Sequence, residues 1–133
     1  MRHYRRVLAI AGSDSGGGAG IQADIKTISA CGCYAMTAIT AVTVQNTVGV
    51  RAVHDVPADI VAGQIEAVME DIGADAVKIG MLKSTETVGC VCRALGTFGV
   101  GQIVVDPVMV STSGHRLMDE DAIEAVMTVL VPM

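Results

Sequence analysis

Val7-Leu8-Ala9-Ile10-Ala11-Gly12-Ser13-Asp14-Ser15-Gly16-Gly17-Gly18-Ala19-Gly20-Ile21-Gln22-Ala23-Asp24 carries three patterns in succession. Val7 to Ala11 is a short apolar run with the composition of a buried strand. Five of the nine residues from Gly12 to Gly20 are glycine. Beyond them Ile21, Ile25 and Ile28 fall at helical spacing. A strand, a glycine loop and a helix in that order let backbone N–H groups and a helix N-terminus converge on a ligand at the carboxyl end of a sheet. Glycine suits such a loop because a side chain would block close approach and because φ > 0 is needed at some positions.

Two glycine loops of known chemistry can be tested against this stretch. A Walker-type phosphate loop needs Gly-Lys-Ser/Thr at the start of the helix, and no Lys occurs before Lys26, inside the helix. A dinucleotide fingerprint fits only as Gly18-Ala19-Gly20-Ile21-Gln22-Ala23, separated from Ala11 by six residues, where a tight turn should follow the strand at once. The next strand also ends in Gln45 and Asn46, not in an acidic residue for a ribose. A plain surface loop is the remaining reading, although it does not need Asp14 and Asp24 on either side of the glycines.

At 133 residues and 51% hydrophobic, the chain is one domain's worth and can bury a sizeable core. Trp is absent and aromatics are 2%, so that core is built from Val, Ile, Ala, Leu and Met. Few aromatics and a net charge of −5 argue against nucleic acid as a partner, since neither stacking platforms nor a basic stripe is available. The basic cluster Arg2, His3, Arg5 and Arg6 precedes an apolar run of five residues, too short for a signal-peptide core or a membrane span. A cytoplasmic protein with no membrane partner is the expectation. Cys31-Gly32-Cys33 and Cys90-Val91-Cys92 have one intervening residue each, whereas structural zinc sites usually have two or more. All four read as small buried hydrophobes in a reducing compartment.

Along the chain, Gly32 closes the first helix, and Met36 to Val44 reads as a strand. Asn46-Thr47-Val48-Gly49 turns into a strand over Val50 to Val56, at a sheet edge. Pro57 opens a helix with an apolar face of Ile60, Val61, Ile65, Val68, Met69 and Ile72, running up to Gly73. Its Asp59, Glu66, Glu70 and Asp71 read as a solvated face. Ala76 to Ile79 is a strand ending in Gly80-Met81-Leu82, and Ser84 caps a helix faced by Val88, Val91, Cys92 and Leu95. Gln102 to Val105 is the last strand, ending at Asp106-Pro107-Val108-Met109. A loop with Ser111, Thr112, Ser113 and Gly114 leads to a helix capped by Asp119 and faced by Ile123, Val126, Met127 and Leu130.

Strands that alternate with helices and are apolar nearly throughout predict an α/β fold with a mainly parallel sheet covered on both faces. Ligands in such folds collect at the carboxyl ends of the strands. Here those ends carry the glycine loop, Gln45-Asn46, Gly80-Met81 and Asp106-Pro107, which puts a small-molecule site on one rim. After the last helix Leu130-Val131-Pro132-Met133 offers no strand to complete the crossover, so a longer domain cut short is expected.

Ala11 to Asp24, Thr43-Val44-Gln45-Asn46-Thr47, Val77-Lys78-Ile79-Gly80-Met81-Leu82 and Val105-Asp106-Pro107-Val108-Met109 together strongly resemble the hydroxymethylpyrimidine and phosphomethylpyrimidine kinases of thiamine biosynthesis. That family has the ribokinase-like fold and stands near the pyridoxal kinases. The resemblance runs over essentially all 133 residues, in order and spacing, and matches the amino-terminal part of a single, longer kinase domain with a three-layer architecture. It implies ATP-dependent phosphorylation of 4-amino-5-hydroxymethyl-2-methylpyrimidine and then of its monophosphate, with ATP and Mg²⁺ as cofactors and a homodimer as the assembly.

Residue by residue, the resemblance implies that Gly12 and the glycine loop, with Asp24, help to form the pyrimidine pocket while Gln45 reads the polar edge of the ring. Met81 and Val108 become its apolar walls. Asp106 becomes an acidic residue near magnesium and phosphate, holding Mg²⁺ through water. Taken alone, Asp24 also reads as a first-turn helix carboxylate, Gln45 and Asp106 as strand-end turn residues, and Met81 as ordinary core. Lys78, in mid-strand, is expected to snorkel or to pair with a carboxylate rather than to act in catalysis. The family's second glycine-rich motif, its Asn-x-x-Glu magnesium segment and most of its ATP pocket have no counterpart here. No catalytic residue is therefore assigned, and these 133 residues alone are expected to be inactive. Rival expectations are a pyridoxal or pyridoxine kinase of the same fold and a non-catalytic pyrimidine-binding domain.

Overall fold

β1 (Arg6–Ser13) is the centre of the sheet because it is apolar on both faces, with Leu8, Ala9, Ile10 and Ala11 all buried. The computed structural model of the protein describes residues 3–110, 114 and 116–133. After β1 come α1 (Gly20–Ala30), β2 (Tyr34–Gln45), β3 (Val50–Asp55), α2 (Ala58–Asp71) and β4 (Ala76–Ile79). They are followed by α3 (Thr85–Phe98), β5 (Ile103–Val105) and α4 (Glu120–Ala125), which a π-helical turn over Val126–Leu130 continues. The strand order is β3-β2-β1-β4-β5. β1 lies parallel to β2 and β4, β4 lies parallel to β5, and β3 alone is antiparallel, paired with β2 at the edge.

The chain leaves β1 towards β2 on one side and returns through α2 to β4 on the other. Right-handed crossovers in opposite directions place their helices on opposite faces of the sheet. Accordingly α1 packs on β1 and β2, whereas α2 packs on β2 and α3, and α3 packs on α4. The winding reverses at β1, so its carboxyl end is the switch point where such folds open a crevice. The core lies on the α2–α3 side, where Leu8, Ile10, Val77 and Ile79 meet Val61, Ile65, Val88, Val91 and Leu95. Ser84 caps α3 by accepting a hydrogen bond from the Thr87 N–H at 3.2 Å, and Gly32 turns the chain out of α1 at φ +73°.

Several expectations are corrected. β1 continues two residues past Ala11, because Gly12 and Ser13 stay in the sheet and Ser13 pairs with Val42 after a register shift. Ile25 is 38% exposed, since α1 packs only on β1 and β2 and seats Ile21, with Ile28 half-buried. Ile60 is exposed beside buried Val61, its neighbour a quarter-turn round the helix. Met127 points outward because the π-helical turn directs Val126 and Leu130 to the core instead. Asp119 stands at the start of α4 without a side-chain cap bond, and its backbone N–H donates to the Lys83 carbonyl at 2.9 Å. Cys31 is exposed and Cys33 half-buried, because the Gly32 turn lies at the surface. Cys90 and Cys92 are buried in the core cluster, and burial pushes both thiols above their ordinary range. Ser111, Thr112 and Ser113 lie outside the described residues.

Candidate active site

Four strand ends and the start of α1 enclose a cavity of about 230 Å³. Gly12, Asp24, Gln45, Met81, Asp106 and Val108, named separately along the sequence, all line it. They meet because β1, β2, β4 and β5 run parallel and therefore end on the same rim. The described helices contain none long and apolar enough to cross a membrane.

The glycine loop is not a plain surface loop. Asp14, 5% exposed, accepts hydrogen bonds from the N–H groups of Gly16 (2.7 Å), Gly18 (2.9 Å) and Ala19 (2.8 Å). Gln22 supports it from α1: its Oε1 accepts from the Asp14 N–H and its Nε2 donates to Ser13 Oγ, both at 2.8 Å. The convergent amides expected to face a ligand are therefore turned onto the chain's own carboxylate. Along the sequence Asp14 stood out only as a carboxylate flanking the glycines, with no role assigned to it. Its signal was an Asp two and four residues before glycines, the spacing of side-chain-to-backbone turns. One glycine is sterically required: a Cβ on Gly20, at φ +57°, would sit 2.2 Å from the Gly12 carbonyl oxygen, whereas one on Gly12 would meet, at 2.6 Å, only the flexible end of Met81.

Asp24 lies in the second turn of α1, beyond the first turn where the helix dipole would explain it. Its carboxylate receives Lys78 Nζ at 3.0 Å (Oδ1) and 3.1 Å (Oδ2), with side chains only 15% and 26% exposed. Lys78 thus pairs with a carboxylate, as its position in mid-strand suggested, and itself lines the cavity. The pair orients Asp24 and gives it a partner charge where an unpaired carboxylate would be costly.

Gln45 is the last residue of β2, and the Ser15 hydroxyl clamps its backbone by donating to its carbonyl (2.5 Å) and accepting from its N–H (2.9 Å). Beside it the hydroxyl of buried Thr43 donates to the Ser13 carbonyl oxygen at 2.6 Å and lies 3.1 Å from Gln45 Oε1, a second acceptor. Thr43 is a second lining residue that sequence reasoning missed, since a mid-strand Thr reads as β-propensity alone. Met81, held by the Thr40 hydroxyl donating to its carbonyl at 2.8 Å, forms the apolar side with Val108 and Leu117.

Asp106 follows β5 and is exposed at the mouth, with its backbone N–H donated to the Ile79 carbonyl at 2.8 Å. Among the described residues no group of three or more His, Cys, Asp or Glu side chains stands together as a metal site. A single exposed carboxylate is compatible with Mg²⁺, which keeps several waters and takes one or two carboxylates together with substrate phosphates. The cavity as a whole offers apolar walls, the Gln45 amide and three carboxylates: Asp14 turned onto the loop N–H groups, Asp24 paired with Lys78, and Asp106 exposed at the mouth. That suits a small, flat, polar ring.

A three-layered sheet with a switch-point cavity of this composition defines a ribokinase-like α/β fold built to hold a small molecule. The model of the phosphomethylpyrimidine kinase family matches residues 14–133, and the chain belongs to that family. Over 126 residues it is 55% identical to a hydroxymethylpyrimidine/phosphomethylpyrimidine kinase of Rhizobium meliloti, covering 95% of this chain and 47% of that one. The crystal structure of phosphomethylpyrimidine kinase from Clostridium difficile superposes with a TM-score of 0.90 at 52% identity, over 96% of this chain and 55% of the other. Pyridoxal kinase from Staphylococcus aureus in complex with pyridoxal gives a TM-score of 0.86 at 34% identity, over 98% and 48%. The chain spans about half the length of the curated relatives it matches.

Proposed function

We propose that residues 1–133 supply the alcohol-substrate side of a single kinase domain. The complete protein then phosphorylates the hydroxymethyl group of 4-amino-5-hydroxymethyl-2-methylpyrimidine and, in a second step, its monophosphate. The observation that carries this reading is the gathering of Gly12, Asp24, Gln45, Met81, Asp106 and Val108 around one cavity. An aminopyrimidine brings donors and acceptors that a carboxylate and an amide can pair with, and burying such groups unpaired costs about 1–3 kcal/mol. Met81 and Val108 would hold the faces of the ring, and Asp24 with Gln45 its polar edge.

ATP is the phosphoryl donor in this reading, supported by pyridoxal kinase neighbours solved with ADP and with AMP-PCP. Asp106 would hold Mg²⁺ through water, and the ion would shield charge on the transferring group. The in-line transfer depends on positioning, and the cavity's part is to fix the hydroxymethyl group at the rim. A homodimer in the cytoplasm completes the reading. Relatives named for the pyrimidine stand at 55% and 51% identity, against 32–34% for the pyridoxal kinases, which favours the pyrimidine over a pyridine alcohol.

Steady-state kinetics of the full-length protein with both alcohols test this. The pyrimidine should be the better substrate by kcat/KM, and Gln45→Ala or Asp24→Ala should weaken its use while leaving ATP binding intact. Preference for pyridoxine, or pyrimidine kinetics unchanged in both variants, would overturn it.

A further inference from the structure

Met81 reaches the cavity from a main chain that is pinned on both sides. The Gly80 N–H donates to the Ile10 carbonyl at 2.8 Å, and Leu82, next in the chain, is fully buried. Between them the Met81 carbonyl accepts from the Thr40 hydroxyl at 2.8 Å. Thr40 is itself 4% exposed and is not among the cavity's lining residues, so it holds Met81 without facing the ligand's space. With the main chain fixed, what remains free is the thioether, an unbranched side chain with three rotatable bonds. Its end rests over Gly12, where a Cβ would lie 2.6 Å from Met81 Cε and 3.8 Å from Sδ. Gly12 takes no positive φ, so its bare Cα supplies room and not a special backbone conformation. Met81 is buried and interiors are close-packed, so the open space beside this end is the cavity that Met81 and Gly12 both line.

We propose that Thr40 and Gly12 are positioning residues that act through Met81. Thr40 fixes where the side chain starts, and Gly12 seats its methyl group clear of the ring, so that together they set the slot that admits a thin, flat ring. The inference rests on the kinase reading above and adds what keeps the apolar wall in place. A side chain at position 12 tips the thioether into the slot. Removing the Thr40 hydroxyl leaves the buried Met81 carbonyl unpaired and frees the main chain beside it to shift. In both cases the ring meets a misplaced wall, and a displacement of about 1 Å at a bound substrate can cost about 10²-fold in rate.

The test uses the full-length protein with the aminopyrimidine alcohol and ATP. Gly12→Ala should leave the denaturation midpoint near wild type, raise KM for the pyrimidine about tenfold and leave KM for ATP unchanged. Thr40→Val should raise the same KM and also lower the midpoint, and Thr40→Ser should return both towards wild type. Met81→Ala separates positioning from plain stability, because it removes the side chain and keeps the carbonyl. In that background, itself raised in KM, Gly12→Ala and Thr40→Val should raise KM no further, while Thr40→Val should still lower the midpoint. Effects on KM that multiply with Met81→Ala, or an unchanged KM in Gly12→Ala, would overturn the proposal. Wild type that ignores the pyrimidine would instead overturn the kinase reading.

A second measurement needs no substrate. The isotope-labelled ε-methyl group of Met81, assigned by NMR through its loss in Met81→Ala, should show an Overhauser contact with the Gly12 α-protons in the ligand-free protein. Its resonance should move in Gly12→Ala. No contact with Gly12 would overturn the seat, whatever the substrate proves to be.

Discussion

The two faces of the central sheet are built from the same strands and follow opposite rules. On the side of α2 and α3 the strands present Leu8, Ile10, Val77 and Ile79, large and fully buried against Val61, Ile65, Val88 and Leu95. On the side of α1 the same strands present Ala9, Ala11 and Lys78, and the helix answers with Ile21 and Asp24. One face holds the fold together by burying apolar area. The other is thin and polar, and its small residues leave the space that becomes the cavity. A period of two residues along each strand lets one sequence meet both demands, because neighbouring positions never share a face.

Substitutions on each face should break different properties. Ile65→Ala on the packed face should cost about 2–5 kcal/mol of stability by chemical denaturation, while KM for the pyrimidine in the full-length protein stays at the wild-type value. A changed KM would mean that the faces are coupled and the division is false. On the thin face, Asp14→Asn puts an amide nitrogen against loop N–H groups. It should lose about 2 kcal/mol and, unlike Ile65→Ala, should also raise KM. Lys78→Met leaves Asp24 without its cation and should raise KM about tenfold, equivalent to about 1.4 kcal/mol of binding. A KM that does not move would remove Asp24 from the ring-reading role.

The smallest effect belongs at the far end of the sheet. There Arg6 pairs with Asp75 at 3.1 Å, also donates to the Ile72 carbonyl, and holds the Asp75 carboxyl at about 2, below its ordinary 3.8. A carboxylate depressed in the folded state adds stability above its unfolded value and loses it as pH falls through the folded one. The difference in stability between wild type and Asp75→Asn should therefore be small, because the pair is exposed, and should shrink as pH falls from about 4 to about 2. A gap that widens on acidification would contradict this ion pair. Moreover, pyrimidine KM should not respond to Asp75→Asn at all, since the pair stands at the amino ends of the strands.

Much of this was legible along the chain. The alternation of apolar strands with helices, the edge position of the strand read over Val50 to Val56 and the collection of Gln45, Met81 and Asp106 at strand ends followed from periodicity and from the parallel connections those patterns impose. Local chemistry placed Ser84 at a helix start and Gly32 at a helix end. Helix faces were less legible. Ile25, Ile60 and Met127 have the right spacing for burial, yet spacing marks a stripe, and only the neighbouring elements decide how wide a stripe is covered.

The sequence by itself determined the type of fold, the rim on which a ligand would collect and the residue types waiting there, because these depend on local period, chain direction and backbone chemistry. Only the tertiary structure decided what each polar group does. Asp14 and the N–H groups of Gly16, Gly18 and Ala19 are neighbours in sequence, but it is the fold of the loop that turns those amides inward. Lys78 reaches Asp24 across 54 positions, and Thr43 meets Ser13 across 30. Hydrogen bonds and ion pairs are directional and short, so they are settled by where distant strands end, and no periodicity along the chain records that.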